Sequence, residues 1–134
     1  MTIPTVGSYL ELSALLCKLI SSRKHLGWTP PFGLTLPSDG ESPADAAKKL
    51  ADGLMEFGER VLLFEGDSDE VPAPIDAGLI IVVIITNARP NIRFLRAIYH
   101  VSTEKLSQQI VFVQQEKALP APIFNRLIHL PTVA

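Results

Sequence analysis

The stretch LTLPSDGESPADAAKKLADGLMEFGERVLLFEGD, residues 34–67, decides how the rest of the chain reads. It begins inside a short strand candidate, FGLTL at Phe32–Leu36, and passes through a glycine-containing turn. Ser42 followed by Pro43 is a helix start: a hydroxyl that caps free amides, then a ring already held at the helical φ, with Asp45 in the first turn. From there Ala46, Ala47, Leu50, Leu54 and Phe57 recur at helical spacing and predict one buried stripe. Gly58 ends the helix, and RVLLFE at Arg60–Glu65 reads as a buried strand. Strand, turn, long helix and second strand make a βαβ unit.

The flanks extend this pattern. Ser8 with Glu11 three residues on forms a capping box, and Leu12, Leu15, Leu16, Leu19 and Ile20 follow at helical spacing, so an amphipathic helix is expected over Tyr9–Arg23. HLGWTPP breaks it. Beyond an acidic loop, the run GLIIVVIIT at residues 78–86 is apolar and β-branched at almost every position, as in a strand covered on both faces of a parallel sheet. RPNIRFLRAIYHVSTEKLSQQ patterns better as a helix entered at Pro90, with Ile92, Leu95, Ile98 and Tyr99 on one side and Arg89, Arg93 and Arg96 on another. IVFVQ at residues 110–114 is the next strand, and Pro122 is expected to open a last short helix carrying Ile123, Leu127 and Leu130. The fold expected is a single α/β domain over residues 1–134, with a small, mostly parallel sheet of three to four strands flanked by helices and joined by right-handed crossovers.

Composition limits the function. At 134 residues, with 47% hydrophobic and 19% charged positions, the chain is long enough for one real core and unlike a disordered segment. A net charge of −2 supplies no field that would draw nucleic acid or an acidic membrane. Cys17 is the single cysteine, so no internal disulfide forms and a reducing compartment is expected; within an apolar stripe it reads as a buried, inert thiol. Pro4 and Glu11 interrupt any signal-peptide core, and the longest uncharged apolar run is about half the length a membrane helix needs. These features point to a cytoplasmic chain without membrane insertion.

With this order in place, the chain resembles the P-loop NTPases of the ParA/MinD type, and among them the bacterial tyrosine autokinases of polysaccharide export. In that family a strand ends in T-S-x-x-P-G-E-G-K-S-T, a helix of the form A-x-x-L-A-x-x-L-A-x-x-G follows, and then R-V-L-L-[VI]-D-x-D. The corresponding text here is TLPSDGESPAD, AAKKLADGLMEFG and RVLLFEGD. Gly40 and Glu41 fall on the family's Gly-Glu pair, Asp67 on the second aspartate after the strand, and Glu65 replaces the first. The later text from Asp76 to Gln114 is similar to the family's next strand–helix–strand, so the likeness covers most of the chain in two blocks.

The departures decide what the resemblance implies. Ser42 stands at the second loop glycine, Pro43 where the phosphate-binding lysine belongs, and Ala44 where the Mg²⁺-binding hydroxyl belongs. Proline offers neither charge nor an N–H. Asp39, Glu41 and Asp45 add three carboxylates at the mouth of the anion site, where a helix N-terminus favours an anion by only ~0.3–1 kcal/mol. Asp45 is then expected to cap the helix that a phosphate would have capped. Only SDEVPAPIDAG separates Asp67 from the later strand, with no D-x-P-P, so the metal- and water-orienting aspartate is missing too. The degenerate loop Asp39, Gly40, Glu41, Ser42, Pro43, Ala44 is therefore expected to bind no cofactor, and the chain to serve as a non-catalytic pseudo-ATPase, an interaction or assembly subunit.

Other constellations compete with that reading. EGDSDE at residues 65–70 follows an apolar strand, as the E-G-x-x-D of Toprim-type nucleases and primases does, and would make a Mg²⁺-dependent enzyme; the plainer reading is a solvated acidic loop, because the second aspartate pair such enzymes need is replaced by Thr86-Asn87-Ala88-Arg89. His25, His100 and His129 show no metal-ligand spacing. Arg89, Arg93 and Arg96, at i, i+4 and i+7, would dock an acidic protein surface or a phosphate backbone, or form a solvated face. Trp28, with Pro30, Pro31 and Phe32, is either an exposed partner anchor or a staple between the first helix and the sheet. A protein partner or a second copy of the chain is the expected ligand, and nucleic acid is not.

Overall fold

A computed structural model of the chain describes residues 5–23, 30–37, 39–65, 79–85, 108–115 and 125–134. In order these form β1 (Thr5–Val6), α1 (Tyr9–Arg23), β2 (Phe32–Leu36), α2 (Pro43–Glu56), β3 (Arg60–Glu65), β4 (Leu79–Ile85), β5 (Gln108–Gln115), β6 (Ile128–His129) and β7 (Thr132–Val133). Five strands make one sheet in the order β3-β4-β5-β2-β6, and β1 pairs with β7 in a separate ribbon. Every pairing is parallel. The ribbon joins the two ends of the chain, where the Ala134 N–H donates to the Val6 carbonyl at 2.8 Å.

Helix ends follow their local chemistry. Ser8 Oγ accepts from the Glu11 N–H at 3.2 Å, while the Glu11 carboxylate reaches back to the Gly7 N–H at 2.8 Å, so the reciprocal cap closes one residue earlier than the capping-box pattern places it. At the far end of α2, Gly58 takes φ 82, a left-handed conformation that glycine adopts without strain. Its N–H donates to the Met55 carbonyl and the Glu59 N–H to that of Leu54, the paired bonds of a Schellman motif. Phe57 is already the cap residue, with φ −88 and ψ 10, and so leaves the buried stripe: it is 48% exposed, against the expectation from its spacing.

Both helices pack on one face of the sheet. Leu12 and Leu16 of α1 and Ala46, Ala47, Leu50 and Leu54 of α2 share a core with Phe32, Leu34, Val82, Val111 and Val113. The register places Phe32 beside Val111 and Val111 beside Val82, so these residues belong to the same face. The alternate residues Ile81, Val83, Ile85, Ile110 and Phe112 are equally buried. The apolar run of β4 is therefore covered on both sides, as its unbroken β-branched composition requires.

Three sequence expectations meet the structure differently. The strand expected to be buried over Arg60–Glu65 is the edge strand β3, in which no residue is fully buried, because among the described residues only one of its sides has a neighbouring strand. The strand expected over residues 110–114 runs from Gln108 to Gln115, because pairing with β4 and β2 carries backbone order past the apolar letters. The last helix does not extend over Leu127 and Leu130: Asn125 and Arg126 lie in a turn, and Ile128–His129 joins the edge of β2 as a fifth strand. The Ile128 N–H donates to the Pro31 carbonyl at 2.9 Å and the Leu130 N–H to that of Gly33 at 2.8 Å, so the open edge of β2 takes bonds that a helix would have made internally. Leu127 then packs against Gly33, where a β-carbon would stand 2.6 Å from its Cδ1. The helix expected from Pro90, the acidic residues 66–70, and Ile123 all lie outside the described residues.

Candidate functional site

The carboxyl ends of the parallel strands gather the residues singled out between β2 and α2. Gly40 closes the turn by donating its N–H to the Pro37 carbonyl at 3.0 Å; a β-carbon there would come within 3.0 Å of the Pro37 ring. Ser42 is the N-cap, with φ −69 and ψ 147, and its Oγ accepts from the Asp45 N–H at 3.2 Å. Ser42, not Asp45, thus caps the helix; Asp45 lies exposed in the first turn, where its charge favours the helix dipole. Pro43 is the first helical residue and is buried. Asp39 and Ala44 are exposed.

Glu41 is held on both sides. Its Oε2 accepts from the Tyr9 hydroxyl at 2.6 Å, and its Oε1 meets the Lys49 ammonium at 2.5 Å. Lys49 also stands 5.7 Å above the Tyr9 ring, within cation–π range. Burial pushes the Glu41 carboxyl up, but Lys49 and Tyr9 outweigh it and hold the group below the usual carboxylate range. The Tyr9 hydroxyl is pushed well up, first by burial and then by the Glu41 carboxylate that accepts its proton. The same carboxylate raises Lys49. One network so joins the start of α1, the loop and the second turn of α2. The sequence gives no sign of it, because Tyr9 and Glu41 are 32 residues apart.

A second polar pair lies at the same end of the sheet. Thr35 of β2 sits directly opposite Gln114 of β5. Gln114 has no exposed surface; its Nε2 donates to Thr35 Oγ1 at 3.3 Å, and its Oε1 has no hydrogen-bond partner among the described residues. Two consecutive amides, Gln114 and Gln115, directly after the apolar run Ile110–Val113 were the available signal, and reading IVFVQ only for its hydrophobicity passes over it.

The remaining candidates are not brought to this place. Arg89, Arg93, Arg96 and Trp28 lie outside the described residues, as do His25 and His100; His129 is exposed on β6. Cys17 is half-buried, and its thiol is pushed up by burial and then by the charge of Glu59, which opposes the thiolate. Among the described residues no group of three or more His, Cys, Asp or Glu is placed to hold a metal, and no helix is long and apolar enough to cross a membrane.

No protein-family model matches the sequence, and no curated protein matches it. Among solved structures, a mutant of RuvB from Thermotoga maritima matches with a TM-score of 0.52 at 15% identity, over 90% of this chain and 44% of that one. The chain thus spans less than half of the length of the RuvB chain, and at this identity the likeness concerns the fold alone. The likeness supports a P-loop NTPase-like α/β fold: among the described residues, a parallel sheet with two helices on one face, in which a loop and helix follow the strand β2.

Proposed function

We propose that this chain is a pseudo-ATPase, a non-catalytic interaction or assembly subunit of the ParA/MinD type. The observation that carries the reading is Pro43 at the first position of α2, buried and without an N–H, where a nucleotide-binding loop needs its lysine. The neighbouring groups support it: Ser42 already caps the Asp45 N–H, and Asp39 in the loop and Asp45 in the first helical turn add exposed carboxylates that disfavour a phosphate. After β4 the sequence continues Thr86-Asn87, with no carboxylate to orient metal or water. A fold that keeps its framework without this chemistry remains useful through its surface. An acidic protein partner, or a second copy offering residues 65–70, would dock on the arginines at 89, 93 and 96, with Trp28 as a further anchor. A polysaccharide-export, secretion or positioning system is the setting that the resemblance implies.

Equilibrium binding of labelled ATP and ADP, with and without Mg²⁺, tests the loss of the nucleotide site. The expected result is no binding tighter than millimolar, and no turnover even after Pro43→Lys with Ala44→Thr. Magnesium-dependent ATP turnover by the unaltered chain would return it to the enzymes.

A further inference from the structure

Among the described residues of the loop at 37–42, Glu41 alone is not exposed. Its carboxylate reaches both helices: Oε2 accepts from Tyr9 at the start of α1, and Oε1 meets Lys49 of α2. The Gly40 N–H bond to Pro37 and the Asp45 N–H bond to Ser42 stay within the loop and its own helix, so neither ties the loop to α1. Glu41 Oε1 is enclosed, and the Lys49 ammonium is the charge set against it. An enclosed carboxylate oxygen that loses its cation is left uncompensated, which favours turning out into water over staying in place.

Lys49 has a second carboxylate within reach. Asp45 stands four residues before it on α2, the spacing at which an acid and a base on a helix are neighbours. The Lys49 ammonium is raised first by Glu41 and then by the charge of Asp45. The Lys49 side chain is 58% exposed, so nothing holds it to one partner by packing. We propose that this contact is a latch: Lys49 pairs either with Glu41, which holds the β2–α2 loop against α1, or with Asp45, which frees the loop while the sheet stays folded. The apolar face of α2 takes no part in the exchange, because Leu50 and Leu54 remain in the core in either pairing. The latch does not rest on the role proposed above.

Backbone nitrogen relaxation of the full-length chain tests it through the order of Gly40 and Glu41. In the parent these two should be as rigid as α2, with order parameters near ~0.85. Lys49→Gln and Tyr9→Phe should each lower them toward ~0.6, the flexible range, with β4 and β5 unchanged. Lys49→Arg, which keeps the charge, should keep the order. The exchange of partners is read by adding Asp45→Asn. In the Tyr9→Phe background it should re-order the loop, since Lys49 is then left to Glu41; in the Lys49→Gln background it should have no effect, since there is no cation to return. The proposal is overturned by a loop that stays rigid in Lys49→Gln, by loss of order that extends to β4 and β5, or by Asp45→Asn acting alike in both backgrounds.

Discussion

Gly53 and Ser13 meet where α2 crosses α1, and no β-carbon fits between them. One built on Gly53 would collide with Ser13 Oγ, and it would lie 3.1 Å from Ser13 Cβ and 3.3 Å from the Tyr9 carbonyl. The hydroxyl is itself engaged, donating to the Tyr9 carbonyl at 2.7 Å and approaching the Leu50 carbonyl at 3.3 Å. In an open helix Gly→Ala stabilises by about 1 kcal/mol. At this crossing the sign reverses: Gly53→Ala is expected to cost ~1–3 kcal/mol through overpacking. Ser13→Gly in the same chain should recover part of that loss. Urea denaturation of the single and double variants measures both, and a Gly53→Ala protein more stable than the parent would refute the close crossing.

The β2 edge offers a second steric test. Leu127 lies over Gly33, with its Cβ 3.3 Å from the place a β-carbon would take. Gly33→Ala and Leu127→Ala should each destabilise, the first by crowding and the second by leaving a void. Together they should cost less than the sum of the two, with a coupling of about 0.5–3 kcal/mol. Strict additivity would mean that the 127–130 segment does not pack on β2.

The Tyr9–Glu41 bond sets a pH window. The Glu41 carboxyl is depressed in the folded chain, so its contribution is present above the ordinary carboxylate range and disappears as pH falls through the lowered value. Tyr9 is raised, so its contribution is present below the ordinary tyrosine range and fades as pH rises toward the raised value. Tyr9→Phe and Glu41→Gln should therefore destabilise most between these limits, with Tyr9→Phe costing roughly 1–2 kcal/mol for a charge-assisted bond in a partly exposed setting. The difference between parent and Glu41→Gln should shrink as pH is lowered from 7 toward 3. A difference independent of pH would show that the ionised carboxylate contributes nothing.

Burial on both faces leaves β4 little tolerance for a charged side chain. Ile81 is 1% exposed and Val83 0%. Ile81→Asp or Val83→Asp would bury an unpaired carboxylate, at a cost of several kcal/mol against a total stability of about 5–15 kcal/mol. Neither variant should give soluble protein with a cooperative unfolding transition.

For the proposed partner surface, Arg89→Glu, Arg93→Glu and Arg96→Glu combined should leave the melting temperature nearly unchanged and abolish the complex or the homo-oligomer. Sedimentation and pull-down against the parent chain measure the two outcomes. Normal assembly by this variant would move the interface to Trp28 or the terminal residues.

How much could be read in advance depended on range. Ser42, Pro43 and Gly58 announce α2 because capping and helix termination involve residues within a few positions of one another. Leu12, Leu16, Leu50 and Leu54 announce their buried faces because the helical period repeats locally. Phe57 follows the same period but is exposed, since the helix stops before reaching it. Leu127 and Leu130 match helical spacing in a segment too short for the spacing to discriminate, and the unfilled edge of β2 claims their backbone.

The sequence by itself determined where α1, α2 and the long strands lie, that β4 is apolar on both faces, and that the loop before α2 has no lysine. Each of these is a property of neighbouring residues. The tertiary structure alone decided the order β3-β4-β5-β2-β6, the parallel ribbon closing the two ends, and the partners of Glu41 and Gln114. Thr35 and Gln114 are 79 residues apart and touch only because β5 returns to lie beside β2. A pair of that kind has no local signature: its energy arises from burial and geometry that exist only once the sheet has closed around it.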